Sequence, residues 1–518
     1  MSTKPAFPLT RLGLLLLCAA WLLPGLVGHA PWKGGDGEHF VALWLWQQQG
    51  MPLQAELPPL YYWTATATAW LASPFLPLPD GARLASGIFV ALALWFTARA
   101  AQALYGAEHR WAAVLVLLGC VGLLVRAHEL NAHTAQFAAA AIALDGLARL
   151  PQGRRGGIQL ALGMALLLLA GAAAEALLLG LLAMGLARLP AYRSPMARGA
   201  LAWGSAGTLT FAAGWLAFLA VRQIPWAPAL GLDRFLAFAD LRPTYYFGIL
   251  GWFAWPAWPL AAWAAYHGRR HWRTPALALP ALVLAGLLLL YVLVARPSEA
   301  HGLLLLLPLA LLGAWGLSSL RRGAANAMLW FSVMLFACIA LLLWVYWSAH
   351  DLGTPARLAQ RITKLGMTGV GELRPGALAL GALVTLAWIG FLVNVKRSPL
   401  RPVLVWTGGL TFIWVLLLTL FQAPLDHRLS YASVAEALVA RVPHGECVQT
   451  HQIRHEQRLL LIWHSGLSLV PADLDCRWLL VETRIRGAEP YVPDVWIKQW
   501  DGARPGDRSD RFHLYVRH

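Results

Sequence analysis

The chain has 518 residues, of which 58% are hydrophobic and only 13% are charged. A soluble domain carries about 25% charged residues, so a cytosolic enzyme, a disordered protein and a small disulfide-rich protein are excluded. The net charge of +16 comes mostly from short basic clusters between apolar runs. That pattern orients a membrane protein and does not indicate nucleic-acid binding, so the composition predicts a multi-pass α-helical membrane protein.

Thirteen apolar runs predict membrane spans, because a helix needs about 20 mostly apolar residues to cross a bilayer. They are residues 11–28, 82–105, 111–126, 130–148, 157–172, 174–189, 200–221, 245–267, 276–295, 302–319, 328–348, 376–395 and 402–421. The pair at 157–189 is also compatible with one long bent helix. Residues 8–30 have an alternative interpretation as a cleaved signal peptide.

Short basic loops predict the orientation of these spans. With a cytoplasmic N-terminus, the inner loops contain Arg99/Arg110, Arg149/Arg154/Arg155, Arg188/Arg193/Arg198, Arg269/Arg270/Arg273, Arg321/Arg322 and Lys396/Arg397/Arg401. The outer loops, 29–81, 127–129, 222–244, 296–301 and 349–375, are longer or more acidic. The positive-inside rule therefore predicts a cytoplasmic N-terminus and an external C-terminus.

The first outer loop, residues 29–81, combines carboxylates with many aromatic residues. Asp36 and Glu38 accompany a predicted helix at 37–49, and Glu56 precedes a Pro-Pro element. Tryptophan and tyrosine favour the membrane–water boundary, so we expect interfacial helices on the outer membrane surface. Asp36 has two interpretations, as a functional carboxylate or as the N-cap of the helix.

Two motifs in this loop resemble those of a known enzyme class. They are Asp36-Gly37-Glu38-His39-Phe40 and Glu56-Leu57-Pro58-Pro59-Leu60-Tyr61-Tyr62-Trp63. With the span pattern and the external C-terminal region, they resemble the bacterial aminoarabinose transferase and protein-mannosyltransferase-like families of the GT-C class. The resemblance implies the GT-C fold and sugar transfer from a polyprenyl-phosphate donor on the periplasmic side of the bacterial inner membrane.

The chain departs from the family pattern at two positions. Gly37 stands where these families usually have Glu, and Leu57 stands where they have a Lys that helps to hold the lipid phosphate. The resemblance makes Asp36, with Glu38, the candidate general base that deprotonates the acceptor hydroxyl. It makes the candidate substrate loop the residues Pro58, Pro59, Tyr61, Tyr62 and Trp63.

The leaving lipid phosphate needs a positively charged ligand other than residue 57. Candidates lie in later outer loops: Arg222, Arg234, Arg242, Tyr245, Arg296 and His301. Arginine can hold phosphate through two parallel hydrogen bonds. The alternative for each arginine is to extend toward lipid headgroups. Within the same stretch, residues 226–238 are predicted to form another interfacial helix.

The second outer loop carries His128 and Glu129 at the predicted membrane face. With Asp36 they could bind a divalent metal, which is the one cofactor that the sequence suggests. With Glu56 they could instead position the acceptor. The alternative is a polar pair that satisfies the ends of two helices.

Two acids lie inside apolar runs, where ionisable side chains are costly and often functional. Glu175 lies near the predicted outer end of its run, which favours a position lining the site. Asp145 lies near the predicted inner end, close to water.

The region from 424 to 518 is polar and predicts a small periplasmic α/β domain after a membrane domain at 1–423. Tyr431–Val442 predicts a helix, whereas alternating patterns predict extended segments at 446–452, 458–463, 477–482 and 511–516. Cys447 and Cys476 can pair in an oxidising compartment, and two free thiols are the alternative.

The sequence thus predicts an integral-membrane glycosyltransferase. Its partners would be membrane lipid, a polyprenyl-phosphate-linked sugar donor and a lipid, glycan or protein acceptor. Two alternatives remain at this stage. One is a lipid or glycan transporter or flippase, and the other is a catalytically altered GT-C relative that acts as a scaffold.

Overall fold

The computed structural model describes residues 10–48, 58–235, 243–293, 295–367, 370–471, 475–484, 493, 495–507 and 509–517. Three residues singled out by the sequence, Glu56, Leu57 and Arg242, lie outside this described part.

Helices form most of the described chain. In chain order they are α1 (Arg11–Leu22), α2 (Gly35–Gln48), α3 (Pro59–Ala72), α4 (Leu78–Tyr105), α5 (Arg110–Leu118), α6 (Val121–Ala127), α7 (His133–Arg149), α8 (Arg154–Leu169), α9 (Ala173–Leu186), α10 (Pro195–Val221), α11 (Trp226–Ala229), α12 (Pro243–Phe253), α13 (Ala257–His267), α14 (Pro275–Leu293), α15 (Ala300–Leu317), α16 (Arg322–Asp351), α17 (Ala356–Lys364), α18 (Pro375–Asn394), α19 (Arg401–Leu429), α20 (Ala432–Val439) and α21 (His455–Ser465). Each predicted span overlaps a helix or a broken pair of helices.

Among the described residues, seven helices are long and apolar enough to cross a membrane: α4, α10, α14, α15, α16, α18 and α19. The segments Ala107–Leu118 and Val121–Ala127 meet at a 74° bend and make an eighth if the pair counts as one span. The protein is therefore a multi-pass membrane protein, and the number thirteen stays a prediction. The stretch at 157–189 forms two short helices, α8 and α9, rather than one bent helix.

The described chain divides into two compact units. The helical unit comprises residues 1–26, 46–338 and 385–415. Its helices approach closely through small residues: a Cβ on Gly163 would lie 2.4 Å from the Ala143 nitrogen, and one on Gly157 would lie 2.0 Å from the Ala200 oxygen. Small residues allow such close packing in membrane helices. Asp145 has a structural role here, since it pairs with Arg99 at 2.9 Å and Arg149 at 2.7 Å.

The second unit, which we call the loop–sheet unit, comprises residues 27–45, 339–384 and 416–518. It contains one sheet of β1 (Cys447–His451), β2 (Ser468–Val470), β3 (Trp478–Arg484), β4 (Trp496–Gly502) and β5 (Asp510–Arg517). The strand order is β2-β1-β3-β5-β4, with β1 parallel to β2 and β3, and β5 antiparallel to β3 and β4. A disulfide joins Cys447 to Cys476, as the sequence allowed.

The predicted α/β character of this region is confirmed, but one segment was wrongly predicted. Residues 458–463 are not extended and belong to α21. The Gln457 side chain accepts the Arg454 N–H at 3.1 Å, and Gly466 ends the helix with a φ of 67°. A short apolar run is compatible with a helix or a strand. These two caps favour the helix.

The predicted interfacial helix at 226–238 is also wrong in extent. Helix α11 ends at Ala229, and Gly231 adopts a left-handed φ of 67° that terminates it. In the first outer loop, by contrast, the predicted helix is present as α2 and begins two residues earlier, at Gly35.

Candidate functional site

The first outer loop bends around Trp32, which two aspartates hold in the loop–sheet unit. The Trp32 backbone N–H donates to Asp36 Oδ2 at 2.9 Å, and its indole N–H donates to Asp426 Oδ1 at 2.9 Å. Asp426 also accepts the Ala30 N–H at 2.9 Å. Asp36 is 1% exposed and lies in the first turn of α2, so it is not the N-cap of that helix. A carboxylate in the first turn is stabilised by the helix dipole.

The geometry also explains why glycine occupies position 37. A Cβ there would lie 2.7 Å from the Trp32 carbonyl oxygen and 2.8 Å from a Leu460 methyl group. A glutamate at this position would displace the loop or the helix α21 that carries Leu460. The second acid of the motif therefore stands at Glu38, which is exposed.

Glu38 has an acidic neighbour on α21. Burial raises the pKa of Glu456, and the adjacent Glu38 carboxylate raises it further through charge repulsion and a hydrogen bond. Arg454 and Lys33 act in the opposite direction by favouring the ionised form. The two carboxyl groups form an acidic pair beside the Asp36 turn.

Lys33, three residues before Asp36, binds the last strand of the sheet. Its Nζ donates to Asp510 at 2.5 Å and to Ser509 at 3.1 Å, and it lies 3.6 Å from Asp507. The Lys33 backbone N–H donates to the Leu429 carbonyl at 3.1 Å. The segment that carries Asp36 is therefore attached to β5 as well as to the end of α19.

A polar cavity of about 730 Å³ lies beside Lys33. It is lined by Lys33, Gln452, Arg454, Glu482, Thr483, Arg484, Ser509 and Asp510. Glu482 accepts a hydrogen bond from Gln457 on one oxygen at 2.9 Å, while its shielded second oxygen has no hydrogen-bond partner among the described residues. Burial raises the pKa of Glu482, and the Asp510 charge adds to that effect.

In the helical unit, His128 is enclosed by main chain and aromatic rings. Its Nδ1 lies 2.6 Å from the Leu124 carbonyl oxygen and its Nε2 lies 3.0 Å from that of Trp21. The rings of Trp21 and Trp414 flank it at 5.2 and 4.9 Å. Because both ring nitrogens face main-chain carbonyl oxygens, the geometry favours the helix-end interpretation for His128.

The Pro-Pro motif divides between buried and exposed residues. Pro59, Tyr61 and Tyr62 are buried, Pro58 is half-buried and Trp63 is 42% exposed. The Tyr61 hydroxyl lies 2.8 Å from Ser86 Oγ and accepts the Asn131 N–H at 2.9 Å. Ser86 in turn donates to the Glu129 carbonyl at 2.7 Å. Tyr61 therefore positions the second outer loop, and Trp63 is the exposed aromatic residue of the motif.

Glu129 belongs to an ion-pair group that the sequence did not indicate. Arg126 bonds to Glu129 at 3.0 Å and to Glu299. Glu299 and Tyr245 both line a cavity of about 430 Å³. The Arg126–Glu129 spacing of three residues was visible in the sequence, but the contact with Glu299 needs the fold.

The remaining basic candidates fall into two groups. Arg222 and Arg296 are exposed, and the Arg296 backbone N–H donates to the Arg234 carbonyl at 3.0 Å. His301 is 3% exposed, bonds to the Tyr246 hydroxyl through Nδ1 at 2.8 Å, and stacks on the Tyr291 ring at 4.2 Å.

Glu175 has its own partners in the same region. The Tyr291 hydroxyl donates to it at 3.3 Å, and the Arg234 guanidinium lies 3.6 Å away. Arg234 also donates to the Gly171 carbonyl at 2.6 Å. Glu175 is thus paired inside the protein, which is how a buried acid is normally accommodated.

Within the part of the chain that the structure describes, no cluster of three or more His, Cys, Asp or Glu side chains could hold a metal ion.

A buried group of charged side chains in the loop–sheet unit was not predicted from the sequence. Asp351 accepts hydrogen bonds from Arg374 at 2.7 and 3.1 Å, and His350 Nδ1 lies 2.7 Å from it.

The helices and the sheet together define a multi-pass α-helical membrane protein with a small α/β domain. No family model and no curated protein matches the chain in sequence. Solved structures do match. The crystal structure of ArnT from Cupriavidus metallidurans bound to undecaprenyl phosphate has a TM-score of 0.66 at 15% identity, covering 97% of both chains. The apo structure of that protein has a TM-score of 0.66 at 14% identity, covering 98% of this chain and 97% of that one. The chain therefore has the GT-C fold.

Proposed function

We propose that this protein is an integral-membrane glycosyltransferase that uses a polyprenyl-phosphate-linked sugar. The supporting observation is the whole-length fold similarity to a protein solved with undecaprenyl phosphate. The acceptor is a hydroxyl of a lipid, a glycan or a protein. We place the reaction on the periplasmic face of the bacterial inner membrane, with a cytoplasmic N-terminus, because the basic clusters fall in alternate loops.

Asp36 is the proposed general base. It takes the proton of the acceptor hydroxyl while that oxygen attacks the anomeric carbon, and the lipid phosphate leaves with the electron pair. One attack of this kind inverts the configuration of the sugar. The hydrogen bond from the Trp32 N–H and the first turn of α2 favour the carboxylate form. Glu38 is the alternative base.

The leaving phosphate needs a cation, and the exposed Arg222 and Arg296 are proposed for that role, with Arg242 and Tyr245 as further candidates. A divalent metal is a second way to stabilise the same charge. The polar cavity beside Lys33 is proposed to bind the acceptor, because hydrogen-bonding side chains such as Gln452, Thr483 and Ser509 line it.

The test is donor turnover by the purified protein in lipid, with a panel of polyprenyl-phosphate sugars. Wild type is compared with Asp36→Asn and with the matched control Glu372→Gln, which removes an exposed carboxylate in another predicted outer loop. Sugar transfer by wild type and Glu372→Gln, lost in Asp36→Asn, would support the proposal. Movement of lipid across the bilayer without sugar release would favour a transporter, and neither activity with any donor would favour a scaffold.

A further inference from the structure

One cavity in the helical unit begins at the end of α15, the opposite end of that helix from His301, which is a candidate for the transferase site. Its volume is about 1020 Å³. It is enclosed by the end of α15, the start of α16, the end of α18 and the start of α19: Leu317, Ser318, Leu320, Arg322, Ala325, Asn326, Leu329, Trp330, Val333, Leu392, Arg397, Ser398, Pro399, Arg401, Pro402 and Val405. These residues include two of the basic clusters predicted to face the cytoplasm.

The charge of this cavity has a single sign. Arg322, Arg397 and Arg401 line it, and none of its described lining residues carries a carboxylate. Two long helices, α16 and α19, also begin at lining arginines, so their N-terminal dipoles add to the positive potential. An anion is the ligand that this field favours.

Two shielded polar atoms on residues that line the cavity have no hydrogen-bond partner among the described residues. They are Arg401 Nε, a donor, and Ser398 Oγ, a donor or acceptor. A shielded polar group without a hydrogen bond costs about 1–3 kcal/mol, so native proteins usually pair it with protein, water or ligand. Arg322 and Arg397 are exposed, whereas Arg401 is half-buried and its Nε is shielded.

The walls of the cavity are apolar. Leu329, Trp330 and Val333 form one side, and Leu392 and Val405 form another. Hydrocarbon chains are accommodated by such walls, whereas a small soluble anion gains nothing from them. Basic pockets between membrane helices on the cytoplasmic side bind anionic lipid headgroups.

We propose that this cavity is a binding site for an anionic phospholipid. Its phosphate lies on Arg322, Arg397 and Arg401, with Ser398 as a hydrogen-bond partner, and its acyl chains lie along the apolar walls. The site is separate from the transferase chemistry and does not depend on it.

The experiment measures lipid binding by the full-length protein in mild detergent. Native mass spectrometry follows titration with phosphatidylglycerol, and phosphatidylcholine of the same chain length serves as the neutral comparison. The cavity variant is Arg322→Gln/Arg397→Gln/Arg401→Gln. The matched control is Arg269→Gln/Arg270→Gln/Arg273→Gln, which removes the same charge from another basic cluster on the same predicted face.

We expect wild type and control to bind phosphatidylglycerol saturably and in preference to phosphatidylcholine. Each cavity arginine removed should weaken that binding roughly fivefold, because one basic residue contributes about that factor to anionic-lipid binding. If the triple variant is unstable, Arg401→Gln alone and Ser398→Ala alone should each weaken phosphatidylglycerol binding. Equal binding of the two lipids, or equal losses in variant and control, would overturn the proposal. Displacement of the lipid by inorganic phosphate at low concentration would assign the site to a free anion and also overturn it.

Discussion

Two of the outer loops carry carboxylates that the sequence singled out, and the surroundings of these carboxylates differ. In residues 30–36, the main chain and the Trp32 indole donate to Asp36 and Asp426. In residues 126–133, the polar side chains have partners within the helical unit: Glu129 pairs with Arg126, both nitrogens of His128 face carbonyl oxygens, and Asn131 Oδ1 accepts the His133 N–H. The first loop holds a carboxylate in a defined turn, whereas the second uses its polar groups to join helices.

This difference shows what a position at the membrane face implies. Helix ends leave N–H and C=O groups that need partners, so a polar residue beside them is satisfied locally by default. A catalytic acid or base needs a fixed position and a group that can gain or lose a proton during the reaction. Asp36 meets that description better than His128, and the comparison can be tested by changing each loop in turn.

The largest effect is expected for Asp36→Asn. The variant keeps an oxygen that can accept the Trp32 N–H, so its loss should be chemical and not structural. We expect kcat for sugar transfer to fall by about 10²–10⁴, with KM little changed, as for removal of a general base. Steady-state kinetics with a saturating donor measure it.

The companion variant for the second loop is Glu129→Gln, which should lower kcat by less than about tenfold if that carboxylate only pairs with Arg126. A larger loss in Glu129→Gln than in Asp36→Asn would reverse the comparison and move the base to the second loop.

Asp426→Ala should release the bend around Trp32. It removes the acceptor of the Trp32 indole N–H and of the Ala30 N–H, and a hydrogen bond to a charged group contributes about 1.5–3 kcal/mol. We expect the Ala30 amide to exchange its hydrogen about a hundredfold faster. Glu436→Ala, which changes an exposed acid on α20, is the control and should leave that exchange unchanged. Unaltered exchange in Asp426→Ala would mean that the turn is held by other contacts.

His128→Phe tests the second loop in the opposite way. The ring size is nearly kept, but the imidazole N–H that one of the two facing carbonyl oxygens accepts is lost, which costs about 1–3 kcal/mol of stability. Thermal unfolding in detergent should show that loss, while turnover per folded molecule stays near wild type. Turnover abolished without any loss of stability would instead support a metal-binding or catalytic role for His128.

The smallest effect is a pH dependence of the loop–sheet unit. The pKa of Glu456 is raised above its ordinary 4.5 by burial and by Glu38. The folded state therefore holds the proton more tightly, so this contribution to stability is present below pH 4.5 and is lost as the pH rises through the raised pKa. Glu456→Gln should remove this loss of stability, so the free energy of unfolding of the variant should exceed that of wild type by more as the pH approaches neutral. Glu38→Gln should produce part of the same effect. A stability difference that shrinks with rising pH would contradict the assignment.

Local patterns were enough to predict much of the fold. Apolar runs predicted the positions of the helices, and the change in composition near residue 424 predicted the α/β character of the C-terminal region. The α2 helix followed from the same kind of signal, whereas the Cys447–Cys476 disulfide was one of two alternatives that the sequence left open. The segment 458–463 failed because a short apolar run is compatible with strand and helix alike, and the caps at Gln457 and Gly466 decided it.

The candidate site was less accessible from the sequence. The motif indicated Asp36, but the partner of Trp32, Asp426, is 394 residues away in the chain. The group of His350, Asp351 and Arg374 has no recognisable spacing, and the Arg126–Glu299 contact joins residues 173 apart. Such contacts depend on tertiary packing, which one sequence does not reveal.

The attachment of Lys33 to Asp510 has a consequence for how the protein is made. The two residues are 477 positions apart, so the partner of the first loop is synthesised long after the loop itself. The segment around Asp36 lacks this anchor until β5 has been made and has folded. A chain whose synthesis stops before β5 therefore lacks the support of its candidate base, which couples catalytic competence to completed biogenesis.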